Sequence, residues 1–174
     1  MTLPERWLAV DPGEDTGWSV WEKGDFVDGS TTKMWTFGDA VWYEAFRQLG
    51  LELPGSLDGP TETEQLLHGI TRIVCEDWRL YPWVLKTGAM DFDECRTARL
   101  IGSLYQACRI AGWEWFAQPA KAKGPSAAAG AEAFFVYPLR ENRHQNDSAL
   151  AGWYHVVMHD SDDYAAALPL MVDG

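Results

Sequence analysis

The sequence is short of cysteine, of basic residues and of long apolar runs. It has three cysteines in 174 residues, Cys75, Cys95 and Cys108, with no close-spaced pair among them. That usage argues against a disulfide framework and a cysteine metal site, and points to reduced thiols in a cytoplasmic compartment. Cys75, inside an apolar run, reads as a small core residue. No run of about eighteen apolar residues occurs, so a transmembrane helix is not expected. Glu5 and Arg6 lead directly into an apolar strand, without a signal-peptide pattern. Lys and Arg number 14 against 26 Asp and Glu, a net charge of -12, which excludes indiscriminate binding to nucleic acid.

The deficit of positive charge is uneven. Residues 1–70 carry 4 basic and 13 acidic residues, residues 71–159 carry 10 and 9, and residues 160–174 carry 4 acids alone. The middle of the chain becomes basic in effect if its acids are bound to metal. Apolar residues make up 47%, sufficient for one ordinary domain. The ten tryptophans are unusual for this length. Several must pack the core, and a few exposed ones would suit base stacking.

The apolar run Trp7 to Val10 ends on Asp11. Pro12-Gly13 then marks a turn, and a second β-prone run starts at Gly17. Strands are expected over 7–11, 17–22 and 33–37, joined as an antiparallel meander. A helix is expected over 39–49, with Asp39 as its N-cap and Val41, Ala45, Phe46 and Leu49 on one face. A loop over 53–60 leads to a short helix over 61–69, opened by Thr61 or Thr63 with Glu64 in a capping pattern. Strand four is expected over 72–76, a long helix over 92–111 ended by Gly112, and strand five over 113–117. An Ala/Gly/Lys/Pro loop fills 119–132. The last helix spans 142–159 with Leu150, Ala151, Tyr154, Val157 and Met158 on its buried side. The order β-β-β-α-α-β-α-β-α is that of a single α/β domain with a mixed sheet, residues 1–159, followed by an acidic tail over 160–174.

Three acids stand at the ends of core elements: Asp11 after strand one, Glu76 after Ile73-Val74-Cys75, and Asp147 at the start of the last helix. Gathering three carboxylates is costly because like charges oppose ionisation, and a divalent cation offsets that cost. Mg²⁺ prefers carboxylate, water and phosphate oxygens, which suits phosphodiester hydrolysis. His144 lies three residues before Asp147, on the same side of the helix start. Each residue also has a plainer role. Asp11 could cap its turn, Glu76 could pair with Arg72 or Arg79 while Asp77 served as the ligand, and Asp147 could simply favour the helix dipole beside an Asn146 cap. His155 and His159, four apart, have a zinc-compatible spacing but no further paired ligand, and read as surface or interface residues.

Asp11-Pro12-Gly13 with Gly17-Trp18 and Val20, Ile73 to Glu76, and His144 with Asp147-Ser148-Ala149-Leu150-Ala151, in that order, resemble the motifs of RuvC-type Holliday-junction resolvases in the RNase H-like nuclease superfamily. The resemblance spans nearly all of residues 7–159. It implies an RNase H-like fold: a five-stranded mixed sheet, three antiparallel strands then two parallel, flanked by helices. It also implies a homodimer that cleaves branched DNA such as four-way junctions or forks, in a bacterial or phage-infected cell. Asp11, Glu76, His144 and Asp147 would be the catalytic and metal-binding residues, holding Mg²⁺ or Mn²⁺, two per site. Trp78, Arg79, Tyr81, Lys121, Lys123 and Arg143 would contact DNA. For Trp78 and Tyr81 the plainer role is in the core or an interface. Residues 125–133 are Ala/Gly-rich and lack the family's next lysine.

Two other classes compete. A non-catalytic relative would bind branched DNA or a protein. A sugar- or acetate-kinase-like ATPase shares an Asp and Gly after its first strand, but such enzymes duplicate this subdomain and 174 residues hold one copy.

Overall fold

A computed structural model describes residues 3–51, 60–77, 96–119 and 143–159. Strands β1 (Arg6–Asp11), β2 (Asp15–Glu22), β3 (Asp25–Lys33), β4 (Arg72–Asp77) and β5 (Glu114–Pro119) form one sheet in the order β3-β2-β1-β4-β5. β1, β2 and β3 are antiparallel neighbours, and β4 and β5 run parallel to β1 and to each other. This is the expected mixed sheet.

Helices α1 (Met34–Gln48), α2 (Glu62–Leu66), α3 (Arg96–Ala111) and α4 (Arg143–His159) complete the described residues. One sheet face packs Leu8, Val10, Ile73 and Cys75 against Phe37 and Val41 of α1 and Leu100 and Leu104 of α3. The other packs Trp7, Ala9 and Val74 against Leu150, Trp153 and Val157 of α4. Both faces are covered, which is why β1 reads as an unbroken apolar run rather than an alternating one. The Thr61–Glu64 capping box is present: Glu64 N donates to Thr61 Oγ1 at 3.2 Å and Thr61 N to Glu64 Oε2 at 2.6 Å.

The third strand departs from expectation. Residues 34–37 open α1, and β3 lies earlier, over Asp25–Lys33. Met34, Phe37, Val41 and Ala45 are buried at helical spacing. Over five residues that pattern also reads as alternation, so length rather than period decides between the two. β3 is a polar edge strand with little apolar signal of its own. Asp39 therefore lies exposed inside α1, and the N-cap is Lys33. Leu49 is exposed.

In α4, Leu150, Ala151 and Val157 are buried as expected, but Met158 is exposed and His155 is buried. Position 155 belongs to the same inward stripe as Ser148 and Ala151, so a polar residue occupies an inward site. The loop 53–59, residues 92–95, the segment 120–142 and the acidic tail lie outside the described residues. None of the described helices is long and apolar enough to cross a membrane.

Candidate active site

Asp11 is the last residue of β1 and its ladder partner is Gly17 of β2. Val10 pairs with Cys75, so Asp11 and Glu76 are the next residues along two neighbouring parallel strands. They follow Ala9 and Val74 in alternation and therefore face α4. Gln118 of β5 pairs with Glu76 and faces the same way, donating its Nε2 to the Ala151 carbonyl of α4 at 3.0 Å. Asp11 is 7% exposed, and Oε2 of Glu76 is buried.

The first turn of α4 reaches this rim because Gly17 has no side chain. A Cβ there would stand 1.9 Å from the His144 carbonyl oxygen and 2.2 Å from its carbon. The helix start rests directly on the β2 backbone beside Asp11. Gln145 Nε2 donates to the Gly29 carbonyl at 2.5 Å, tying the same turn to β3. Further along, Gly152 gives the Trp21 indole its space. Thr16 Oγ1 donates to the Gly13 carbonyl at 2.8 Å and closes the β1–β2 turn below.

These contacts set His144 against Asp11, with Nδ1 and Oδ2 2.8 Å apart. An ionised carboxylate only accepts, so Nδ1 carries the hydrogen of this bond. The His144 side chain is 44% exposed. Arg143 Nε lies 3.7 Å from Asp147 Oδ2, an i,i+4 pair in which Arg143 is almost wholly exposed.

The chemistry of the rim is acidic. Burial pushes the Cys75 thiol well above its usual range, and the negative charges of Glu76 and then Asp11 push it further. Cys75 is thus a protonated core residue, not a ligand. Among the described residues, no group of three or more His, Cys, Asp or Glu side chains is gathered closely enough to hold a metal ion. The donor types at the rim fit a hard cation nonetheless, since Asp11 and the buried oxygen of Glu76 are carboxylates on neighbouring strand ends.

Of the sequence candidates, His144 meets Asp11, Glu76 ends the strand beside that of Asp11, and Asp147 is one turn further along α4 from the Asp11–His144 contact. Trp78, Arg79, Tyr81, Lys121 and Lys123 lie outside the described residues. Arg72, the other partner considered for Glu76, is engaged elsewhere. It lies four residues earlier, about 13 Å along the strand, and pairs with Glu114. Its Nη1 also meets His155 Nε2 at 3.2 Å. Arginine only donates, so His155 Nε2 accepts. His155 is a buried core histidine packed on Trp7 and Phe116, contrary to the surface role its sequence context suggested. Gln118 and Gln145 escaped sequence reasoning because isolated glutamines carry no pattern.

No family model and no curated protein matches the sequence. Solved structures do match. RuvC of T. thermophilus in complex with Holliday junction substrate aligns with a TM-score of 0.56 and 13% identity, over 94% of this chain and 96% of that one. T. thermophilus RuvC by itself gives 0.53 and 13%, over 92% and 95%. The yeast mitochondrial Holliday junction resolvase Ydc2 gives 0.50 and 11%, over 97% and 86%. With its strand order, its mixed sheet and this likeness over nearly the full chain, the protein has the RuvC-type, RNase H-like fold.

Proposed function

We propose that the chain is a metal-dependent, structure-selective endodeoxyribonuclease that hydrolyses phosphodiester bonds of branched DNA such as four-way junctions or forks. The observation that carries this reading is the pairing at the sheet end: Asp11 and Glu76 on adjacent parallel strands face α4, and His144 is hydrogen-bonded to Asp11. Asp11, Glu76 and Asp147 would hold Mg²⁺ or Mn²⁺. A pair of such ions would supply an activated water and charge stabilisation of the leaving oxygen.

The remaining duties fall to the chain. His144 holds Asp11 in place through Nδ1. The N-terminus of α4 favours a phosphate beside it. Arg143 sits in the solvent at that helix start, next to Asp147, where a DNA backbone can reach it. Further proposals belong to the same reading: contacts from Trp78, Arg79, Tyr81, Lys121 and Lys123 to DNA, a homodimer, and a cytoplasmic place of action.

A second reading, a non-catalytic binder of branched DNA or of a protein, draws support from the net charge of -12. One experiment separates them. Labelled four-way junction, fork, flap and linear duplex are incubated with Mg²⁺, Mn²⁺ or EDTA, beside the Asp11→Asn variant. Metal-dependent nicks on branched DNA that vanish in the variant are expected. Binding without cleavage in either metal would replace the nuclease with the binder.

A further inference from the structure

α4 carries His144 and Asp147 in its first half and its large apolar residues in its second. Leu150, Trp153 and Val157 pack on Trp7, Ala9 and Val74. Residues 143–149 hold no apolar side chain larger than alanine. Apolar burial is non-directional, and in α4 it acts on the half that carries neither His144 nor Asp147. A metal site needs its groups held to within about 0.5 Å.

Two glutamine amides supply directional ties. Gln145 Nε2 donates to the Gly29 carbonyl of β3 at 2.5 Å, and Gln118 Nε2 of β5 donates to the Ala151 carbonyl of α4 at 3.0 Å. β3 and β5 are the outer strands of the sheet, so α4 is fastened at both margins. Gln145 follows His144 directly. Asp147 comes two residues after Gln145 and four before Ala151, whose N–H meets the Asp147 carbonyl in the helical ladder. The ties therefore bracket the turn that carries Asp147. Both glutamines are buried, Gln118 at 7% exposed and Gln145 at 8%. Gln118 stands beside Glu76 in the parallel ladder. The Ala151 carbonyl already accepts the helical N–H of His155, so Gln118 is a second donor to it. Satisfying the helix backbone does not require that donor. An amide also stays neutral at every pH. An ammonium in its place would repel a cation at the rim, and a carboxylate would add to the repulsion between acids.

We propose that Gln118 and Gln145 are positioning residues of the metal site, fixing the first two turns of α4 so that His144 and Asp147 keep their register with the Asp11 and Glu76 strand ends before a cation arrives. The inference rests on the nuclease reading and adds to it the means by which the helix side of the site is held.

The test is Mn²⁺ binding to the full chain without DNA, read from the free-ion signal in electron paramagnetic resonance, beside nicking of a four-way junction. Gln118→Met keeps the length of the side chain and removes the amide. It should weaken Mn²⁺ binding and slow nicking, each about ten- to a hundredfold. Junction affinity in EDTA should be unchanged and the Tm lowered by only about 1–6 °C. Gln145→Met should do the same, and it covers the case in which Gln118→Met does not fold. Ser103→Ala is the control. It removes the bond from Trp42 Nε1 to Ser103 Oγ, 2.7 Å long, between α1 and α3 on the opposite sheet face. It should lower the Tm to a similar degree and leave Mn²⁺ binding and nicking unchanged. Folded glutamine variants with wild-type Mn²⁺ binding and nicking would overturn the positioning role. So would losses that Ser103→Ala reproduces, which would make the amides ordinary contributors to stability. A wild-type chain that neither takes up Mn²⁺ nor nicks branched DNA would remove the nuclease reading, and the positioning role with it.

Discussion

Replacing Gly17 by Ala tests whether α4 is held at the candidate site by backbone contact. The added Cβ would stand 1.9 Å from the His144 oxygen, 2.2 Å from its carbon and 2.9 Å from Gln145 N. All three are backbone atoms, so no side chain can swing aside. To restore even a tight contact of about 3 Å, the start of α4 must retreat by roughly 1 Å. The Asp11–His144 bond, 2.8 Å long, lies in that path and would stretch beyond hydrogen-bonding distance. Overpacking of this kind costs about 1–3 kcal/mol, equivalent to a fall in Tm of about 2–12 °C for a chain this size. A 1 Å misplacement of catalytic groups costs on the order of a hundredfold in rate. The assay is thermal unfolding followed by circular dichroism, together with metal-dependent nicking of a four-way junction. Gly102→Ala is the control. It lies exposed in α3 with nothing within 4 Å of the new Cβ. Removing a helix-interior glycine there should raise stability by about 0.5–1 kcal/mol. Gly17→Ala with wild-type Tm and wild-type nicking would refute the account of how α4 is positioned.

Asp11→Asn should abolish nicking while leaving the Tm within about 2 °C, because the new amide oxygen still accepts from His144 Nδ1; undiminished nicking would sink the assignment. Glu44 is fully buried, and burial alone would raise its pKa. Hydrogen bonds from Arg47, Gln48 and the Gly69 amide outweigh that and hold the carboxyl below its usual 4.5. A depressed folded-state pKa means its contribution is present above about 4.5 and lost as pH falls below that. Glu44→Gln should therefore cost about 1.5–3 kcal/mol at neutral pH and flatten the acid limb of a stability–pH curve; an unchanged limb in urea titrations would contradict this. Cys75 and Cys108 should resist iodoacetamide at pH 8 until denaturant is added. Burial raises both thiols, Cys108 to about 12, and peptide mapping that found either labelled in the native protein would show the core to be open.

The comparison between sequence and structure turns on the reach of each signal. Strand β1, strand β4 and the capping box before α2 were legible because their signals are local. Continuous apolar runs report burial on both faces, and Thr61 with Glu64 satisfies two backbone donors within four residues. The acids Asp11 and Glu76 were legible as candidates because each ends such a run. β3 was not, since a polar edge strand buries too little to leave a pattern, and the start of α1 mimicked it over five residues.

What the sequence determined by itself was the order of elements and which carboxylates end them, because chain connectivity and burial periodicity are written in neighbouring residues. Only the tertiary structure decided which of those residues meet. Asp11 and His144 are 133 positions apart, and Arg72 and His155 are 83 apart. The space that Gly17 leaves for α4, and the burial of His155 beneath Arg72, exist only once α4 is laid across the sheet. No local pattern records them, because contacts of that range are properties of packed surfaces rather than of the segments that carry them.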